Sequence, residues 1–147
     1  MATIHDILKS KGNLVHVVTP DQTVKTALEL MADFQIGAVV VLSGKEILGI
    51  FSERDFARKT LSINNFHLEL PVRDLMTTPV YFVHADHSIE SCMNLMTEKR
   101  IRHVPVLADD QLIGIVSIRD VVKWLIADKT FAIQELERLI SSNPEAD

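Results

Sequence analysis

The sequence predicts an α+β protein: two βαββα repeats packed about a pseudo-twofold axis, with an appended C-terminal helix. Three observations lead there. Residues 15–60 align without a gap on residues 80–125, in register from Val15 on Val80 to Asp55 on Asp120 and beyond. Self-similarity of this kind marks a duplicated structural unit. Within each copy the apolar pattern changes from strand-like runs to a helical stripe and back. One copy is too small to bury its own sheet face, so the pair is the folding unit.

The elements follow in order. Residues 1–65 form the first repeat with an N-terminal helix, 66–128 the second repeat, and 129–147 the C-terminal helix and tail. A short β-like run (Val15 to Val18; Val80 to Val83) leads into polar helix-start residues, Asp21 and Thr23 in one copy, Asp86 and Ser88 in the other. A stripe at i, i+3, i+4, i+7 then predicts a helix: Val24, Ala27, Leu28, Met31, matched by Ile89, Cys92, Met93, Met96. Two strand-like runs follow, Ala38 to Leu42 and Ile47 to Phe51, joined by Ser43-Gly44-Lys45-Glu46. Their counterparts, Val104 to Leu107 and Leu112 to Val116, are joined by Ala108-Asp109-Asp110-Gln111, and short polar joints predict hairpins. A last helix starts at Ser52 or Ser117, with Val121, Val122, Leu125 and Ile126 as its apolar positions in the second copy. Residues 61–72 are a linker, and Arg73-Asp74-Leu75-Met76 echoes His5-Asp6-Ile7-Leu8. Residues 130–140 read as an amphipathic helix with Ile133, Leu136 and Ile140 on one face, and Ser141 to Asp147 as a fraying end.

Composition bounds the function. The chain has 147 residues, 47% hydrophobic and 24% charged, the balance of an ordinary globular protein. A net charge of −5 speaks against a duplex nucleic-acid binder, although Lys99, Arg100 and Arg102 form a local basic cluster able to hold a small anion. No apolar run reaches membrane-spanning length, and the first residues lack the charged-then-apolar order of a leader, so a cytoplasmic protein without a membrane partner is expected. The lone Cys92 lies on the helical stripe as a small core hydrophobe. His84 and His87 lack the Cys or acidic partner of a zinc pattern, and nucleophile-elbow, P-loop and zincin motifs are missing. Neither a metal site, nor a catalytic residue, nor a catalytic cofactor is expected, and the protein is not read as an enzyme.

The βαββα unit closing in Gly-Ile-x-Ser-x-Arg-Asp resembles a CBS domain, and the pair resembles a tandem CBS module (Bateman module). The resemblance rests on Asp74-Leu75-Met76-Thr77-Thr78-Pro79, on Arg102-His103-Val104-Pro105-Val106, and on Gly114-Ile115-Val116-Ser117-Ile118-Arg119-Asp120. It spans about His5 to Ile126, as in a small stand-alone protein of that family.

The Ser-x-x-Asp pairs, Ser52 with Asp55 and Ser117 with Asp120, support two readings. Ser followed three residues later by an acid is a capping box, ordinary at a helix start. The same groups suit a nucleotide: a carboxylate accepts both ribose hydroxyls, and a helix N-terminus with a hydroxyl seats phosphate. An arginine one residue before the acid can reach phosphate oxygens with two donors. The resemblance implies the second role: Asp120 and Asp55 for ribose; Ser117, Arg119, Ser52, Arg54, Arg102 and His103 for phosphate. It also implies an adenine pocket walled by Thr78, Pro79, Val80, Ile101, Val104 and Pro105. For Arg102 a solvated strand face is an equal alternative.

The copies differ where a ligand would sit. Gly37-Ala38-Val39-Val40 stands opposite Arg102-His103-Val104-Pro105, without charge or proline. The two pockets are therefore expected to be unequal, with the one carrying Asp120 binding better. Together these features predict a regulatory module that binds AMP, ADP, ATP, NAD or a related adenosyl ligand between its repeats and signals to a protein partner, as a homodimer. The alternative is a protein-interaction module without nucleotide binding.

Overall fold

The computed structural model describes residues 2–12 and 14–141. The expected end at 142–147 lies outside them. Helix α1 (Ile4–Lys11) is followed by the first repeat: β1 (Val17–Val18), α2 (Val24–Phe34), β2 (Ala38–Ser43), β3 (Glu46–Ser52) and α3 (Glu53–Lys59). The second repeat is β4 (Val83–His84), α4 (Ile89–Lys99), β5 (His103–Ala108), β6 (Gln111–Ser117) and α5 (Ile118–Ser141). Short 3₁₀ turns occupy Thr60–Ser62 and Val72–Asp74.

Each repeat folds as its apolar period dictates. Thr23 and Ser88 cap α2 and α4, each hydroxyl accepting the backbone N–H three residues on at 3.0 Å. Both helices stop at a left-handed residue, Gln35 and Arg100, at matching places in the duplication. Each sheet runs β1-β2-β3 or β4-β5-β6, the first pair parallel and the second antiparallel. The hairpin loops are two residues shorter than the sequence suggested, because Ser43, Glu46, Ala108 and Gln111 join the ladders. Asp109 and Asp110 both have positive φ (50° and 61°), the backbone a tight type I′ turn requires. The same irregularity falls at Val41/Leu42 and Val106/Leu107.

The segments ahead of each repeat exchange places. Ile4, Ile7 and Leu8 of α1 are buried in the core of the second repeat, with Val83, Ile89, Met96, Val104, Val116 and Val121. Val72 and Leu75, just ahead of the second repeat, are buried in the core of the first, with Val24, Met31, Val39 and Phe51. Matching backbone bonds fasten the two straps. Ile4 N–H donates to His87 at 2.9 Å and His5 N–H to Ala85 at 2.9 Å; Val72 N–H donates to Gln22 at 2.8 Å and Arg73 N–H to Pro20 at 3.2 Å. The echo of His5–Leu8 in Arg73–Met76 is thus a docking motif, used twice. By chain order α1 opens the first repeat, but its packing belongs to the second.

Two glycines let the straps lie flat. A Cβ on Gly114 would come within 2.7 Å of a Leu8 methyl, and one on Gly49 within 2.6 Å of Met76 Sδ. Glycine keeps both contacts at backbone distance.

The linker is packed, not loose. Ile63, Phe66 and Leu70 lie against the first core, and the Leu68 and Leu70 carbonyls accept the first N–H groups of α2, from Lys25 and Val24. At the other end, α5 continues without a break from the second repeat through residues 129–141. The last helix of the repeat and the appended helix are therefore one element. No Pro or Gly interrupts the sequence there to separate them.

Candidate functional site

The two helix starts have the same geometry. Ser52 caps α3: its Oγ accepts the Asp55 N–H at 3.1 Å, and the Asp55 carboxylate accepts the Ser52 N–H at 2.9 Å. Ser117 and Asp120 repeat both bonds at 3.1 and 2.9 Å. The capping-box reading is realised in both copies. It leaves a carboxylate with acceptor capacity to spare, since an ionised acid offers about four lone-pair sites.

What reaches those carboxylates differs between the copies. Thr77 bridges to the edge of β3 by two backbone bonds with Ile50, at 2.8 and 3.1 Å, and its hydroxyl donates to Asp55 Oδ1 at 2.6 Å. Lys59 stands 3.5 Å from the same oxygen and donates to Met76 O and Thr77 Oγ1. In the second copy one side chain takes both of Thr77's roles. Lys11 Nζ donates to Ile115 O at 3.0 Å, the counterpart of Ile50 O, and to Asp120 Oδ2 at 2.6 Å. The segment continuing into Thr78, Pro79 and Val80 is consequently delivered to Asp55. The straps cross between repeats, so that segment meets the acid of the first copy.

The faces of β2 and β5 settle the rest. Val104 is fully buried in the second core, so its side chain is withheld from a ligand and only its backbone remains. Ile101 is half-buried against the same core. His103 and Pro105 alternate with Val104 and point to the opposite face, as Ala38 and Val40 do in the first copy. Those faces meet: a Cβ on Gly37 would lie 3.4 Å from His103 Nε2. The glycine opposite Arg102 in the duplication thus lies against the histidine ring.

Charge gathers at this seam from both repeats. His103 titrates below its ordinary value of 6.5 because it is buried, and then because Lys11, Arg102 and Arg54 repel the proton, against the pull of Asp120. Desolvation and then the charges of Arg102 and Arg58 lower Arg54, with Asp55 opposing. Lys11, Arg54, Arg102 and His103 thus form one cluster beside Asp120 and Asp55. Burial raises the Asp120 carboxyl, but the Lys11 and Ser117 hydrogen bonds and the Lys11 charge win and hold it below 3.8.

The other basic residues of the sequence cluster lie elsewhere. Arg100 ends α4, and Lys99 sits over the Tyr81 ring at 5.3 Å. Arg119 is exposed on α5 and makes no ion pair among the described residues. Thr78 and Pro79 are exposed and Val80 half-exposed. Sequence reasoning missed Lys11 and Thr77. Their signal was the strap echo, which does not say on which repeat each strap docks.

Two separate hollows are lined by other residues of the repeats. One of about 580 Å³ is lined by Val15, Val17, Leu42, Gln111, Leu112 and Ile113, between the first repeat and β6. The other, of about 560 Å³, is lined by His84 to His87 and Leu107 to Asp110. No group of three or more metal-ligating side chains occurs among the described residues, and no helix among them is long and apolar enough to cross a membrane.

A duplicated βαββα unit with exchanged straps and a paired, polar seam defines a tandem-repeat module. The chain belongs to the CBS-domain family, whose model matches residues 13–62 and 72–127. CBSX3, a mitochondrial CBS domain-containing protein of Arabidopsis thaliana, is 35% identical over 94% of this chain and 71% of its own length. A crystal structure of a CBS-domain protein from Agrobacterium tumefaciens is 36% identical, covers 83% of this chain and 98% of the other, and superposes with a TM-score of 0.78. CBSX2, solved in complex with AMP, is 26% identical over 88% of this chain and 99% of its own, with a TM-score of 0.69.

Proposed function

We propose that this protein is a regulatory module that binds an adenosine nucleotide at the seam between its repeats and passes the change in geometry to a protein partner. The observation that supports this best is the cluster of Arg54, Arg102, His103 and Lys11, drawn from both repeats to two carboxylates. Three cations and an imidazole facing a seam suit phosphate, and each acid suits a ribose diol. The AMP complex of CBSX2 agrees with this choice of ligand class.

In this proposal the Asp55 cleft is the tighter site. Asp55 holds the ribose, Thr78, Pro79 and Val80 wall the adenine with Ile101 and the backbone of Val104 and Pro105, and Arg54, Arg102, His103 and Ser52 meet phosphate. The Asp120 cleft, with Ser117 and Arg119, is second, because Lys11 pairs with its carboxylate at 2.6 Å while Lys59 stands 3.5 Å from Asp55. AMP, ATP and NAD all fit the chemistry, and the ligand acts only if it prefers one arrangement of the repeats. The protein works in the cytoplasm as a homodimer.

Calorimetric titration with AMP, ATP and NAD tests the assignment. Asp55→Ala removes charge-assisted bonds worth about 1.5–3 kcal/mol, or about 10- to 100-fold in affinity. Asp120→Ala leaves the tighter site nearly intact. If Asp120→Ala abolishes binding and Asp55→Ala does nothing, the sites are reversed. If none of the three raises the melting temperature, the protein is an interaction module instead.

A further inference from the structure

We infer that the outer half of α5 pairs with the same segment of a second copy of this chain, antiparallel and centred on Ile133. The inference supplies a surface for the homodimer proposed above and does not depend on the ligand.

The inner end of α5 is docked: Val121 is buried in the second core, with Trp124 and Leu125 packed beside it. From Ile126 onward the helix leaves the repeat, and large apolar side chains stay exposed: Ile126 61%, Ile133 56%, Leu136 60% and Ile140 66%. At 3.6 residues per turn Ile126, Ile133 and Ile140 form one stripe about a quarter to a third of a turn from the face that carries Val121 and Leu125, with Leu136 between the two. Ile126, Ile133 and Ile140 recur every seven residues, the spacing of a helix–helix seam. A lone helix this short is marginal in water, but this one is already nucleated by its docked inner turns.

The identity of the occupant follows from self-complementarity. Ile133 is the centre of the stripe. Ile126 and Ile140 lie equally far to either side of it along the helix, and Lys129 and Glu137 do likewise. A twofold axis through Ile133 therefore sets Ile126 against the partner's Ile140, Ile133 against the partner's Ile133, and Lys129 level with the partner's Glu137. Neither Lys129 nor Glu137 has an ion-pair partner among the described residues, whereas Arg138 and Glu135, off the stripe, pair with each other at 3.1 Å. The parallel alternative sets Lys129 against lysine and Glu137 against glutamate, which disfavours it. An interface that matches itself under a twofold is the mark of an isologous dimer. Phe131 falls outside the stripe and takes no part.

Sedimentation of the full chain, with oxidative crosslinking of surface cysteines, tests this. The wild type should be a dimer at micromolar concentration. Lys129→Glu should weaken the dimer about tenfold, and Lys129→Glu with Glu137→Lys should restore it. Ile126→Cys and Ile140→Cys should each fail to crosslink alone and should give a covalent dimer when mixed. Trp124 fluorescence checks that each variant keeps its fold. A monomer at 100 µM (about that order, far above typical specific affinities) would overturn both the pairing and the homodimer. A dimer in which Ile126→Cys crosslinks to itself, or one indifferent to Lys129→Glu, would overturn the pairing alone.

Discussion

Leu8 offers a direct test of the exchanged straps. By chain order it belongs ahead of the first repeat, yet it is 2% exposed in the core of the second, with its methyls over Gly114. Leu8→Ala removes buried methyl groups above a residue that has no side chain to refill the space, and costs about 3–4 kcal/mol. Gly114→Ala alone adds a Cβ that would stand 2.7 Å from one Leu8 methyl and 2.9 Å from the other, so it costs about 1–2 kcal/mol of overpacking. In the double variant the new methyl enters the vacated space, and the second cost disappears or changes sign. The coupling should therefore be about 1–3 kcal/mol, well beyond the few tenths expected of independent sites. The reporter is built in: the single tryptophan, Trp124, packs against the second core. With a urea slope of about 2 kcal/mol per molar, Leu8→Ala lowers the midpoint of the Trp124 transition by about 1.5 M or more. Leu14→Ala, at a side chain 74% exposed, is the control and should move it little. If Leu8→Ala behaves like Leu14→Ala, or if the cycle is additive, α1 does not pack where it is described.

Other outcomes follow from the seam. Lys11→Met removes the hydrogen bond and charge that hold the Asp120 carboxyl low, so its pKa rises toward 3.8. The stability Asp120 contributes above that value is then lost at higher pH on acidification, which a carboxyl-resolved NMR titration reads directly. His103 has its pKa depressed in the fold, so the native state binds fewer protons than the unfolded chain below about 6.5. Stability should fall as pH drops from 7 toward 5, and His103→Gln should flatten part of that slope in denaturant midpoints against pH. Burial pushes the Cys92 thiol up to about 11, and its side chain is fully buried. Iodoacetamide at pH 8 should label it only through opening of the fold, and faster in Leu8→Ala than in wild type.

The sequence alone determined the repeat and most of its elements. Duplication copies every local signal, so caps at Thr23 and Ser88, stripes on α2 and α4, and hairpins at Gly44 and Asp109-Asp110 are legible twice, each checking the other. The candidate acids and their serines were legible for the same reason, since a cap needs only residues three apart. Tertiary structure decided which strap docks on which repeat. Ile7-Leu8 and Leu75-Met76 carry the same apolar signal and fit either core, and nothing local separates the alternatives. Each strap is accommodated by a glycine remote in the chain, Gly49 for Met76 or Gly114 for Leu8, and by loop carbonyls at Pro20, Gln22, Ala85 and His87. That choice brings Lys11 to Asp120 and Thr77 to Asp55, and so makes two nearly identical sequence motifs into unequal sites. Local patterning specifies elements, while pairing between them depends on contacts whose partners are remote in the chain.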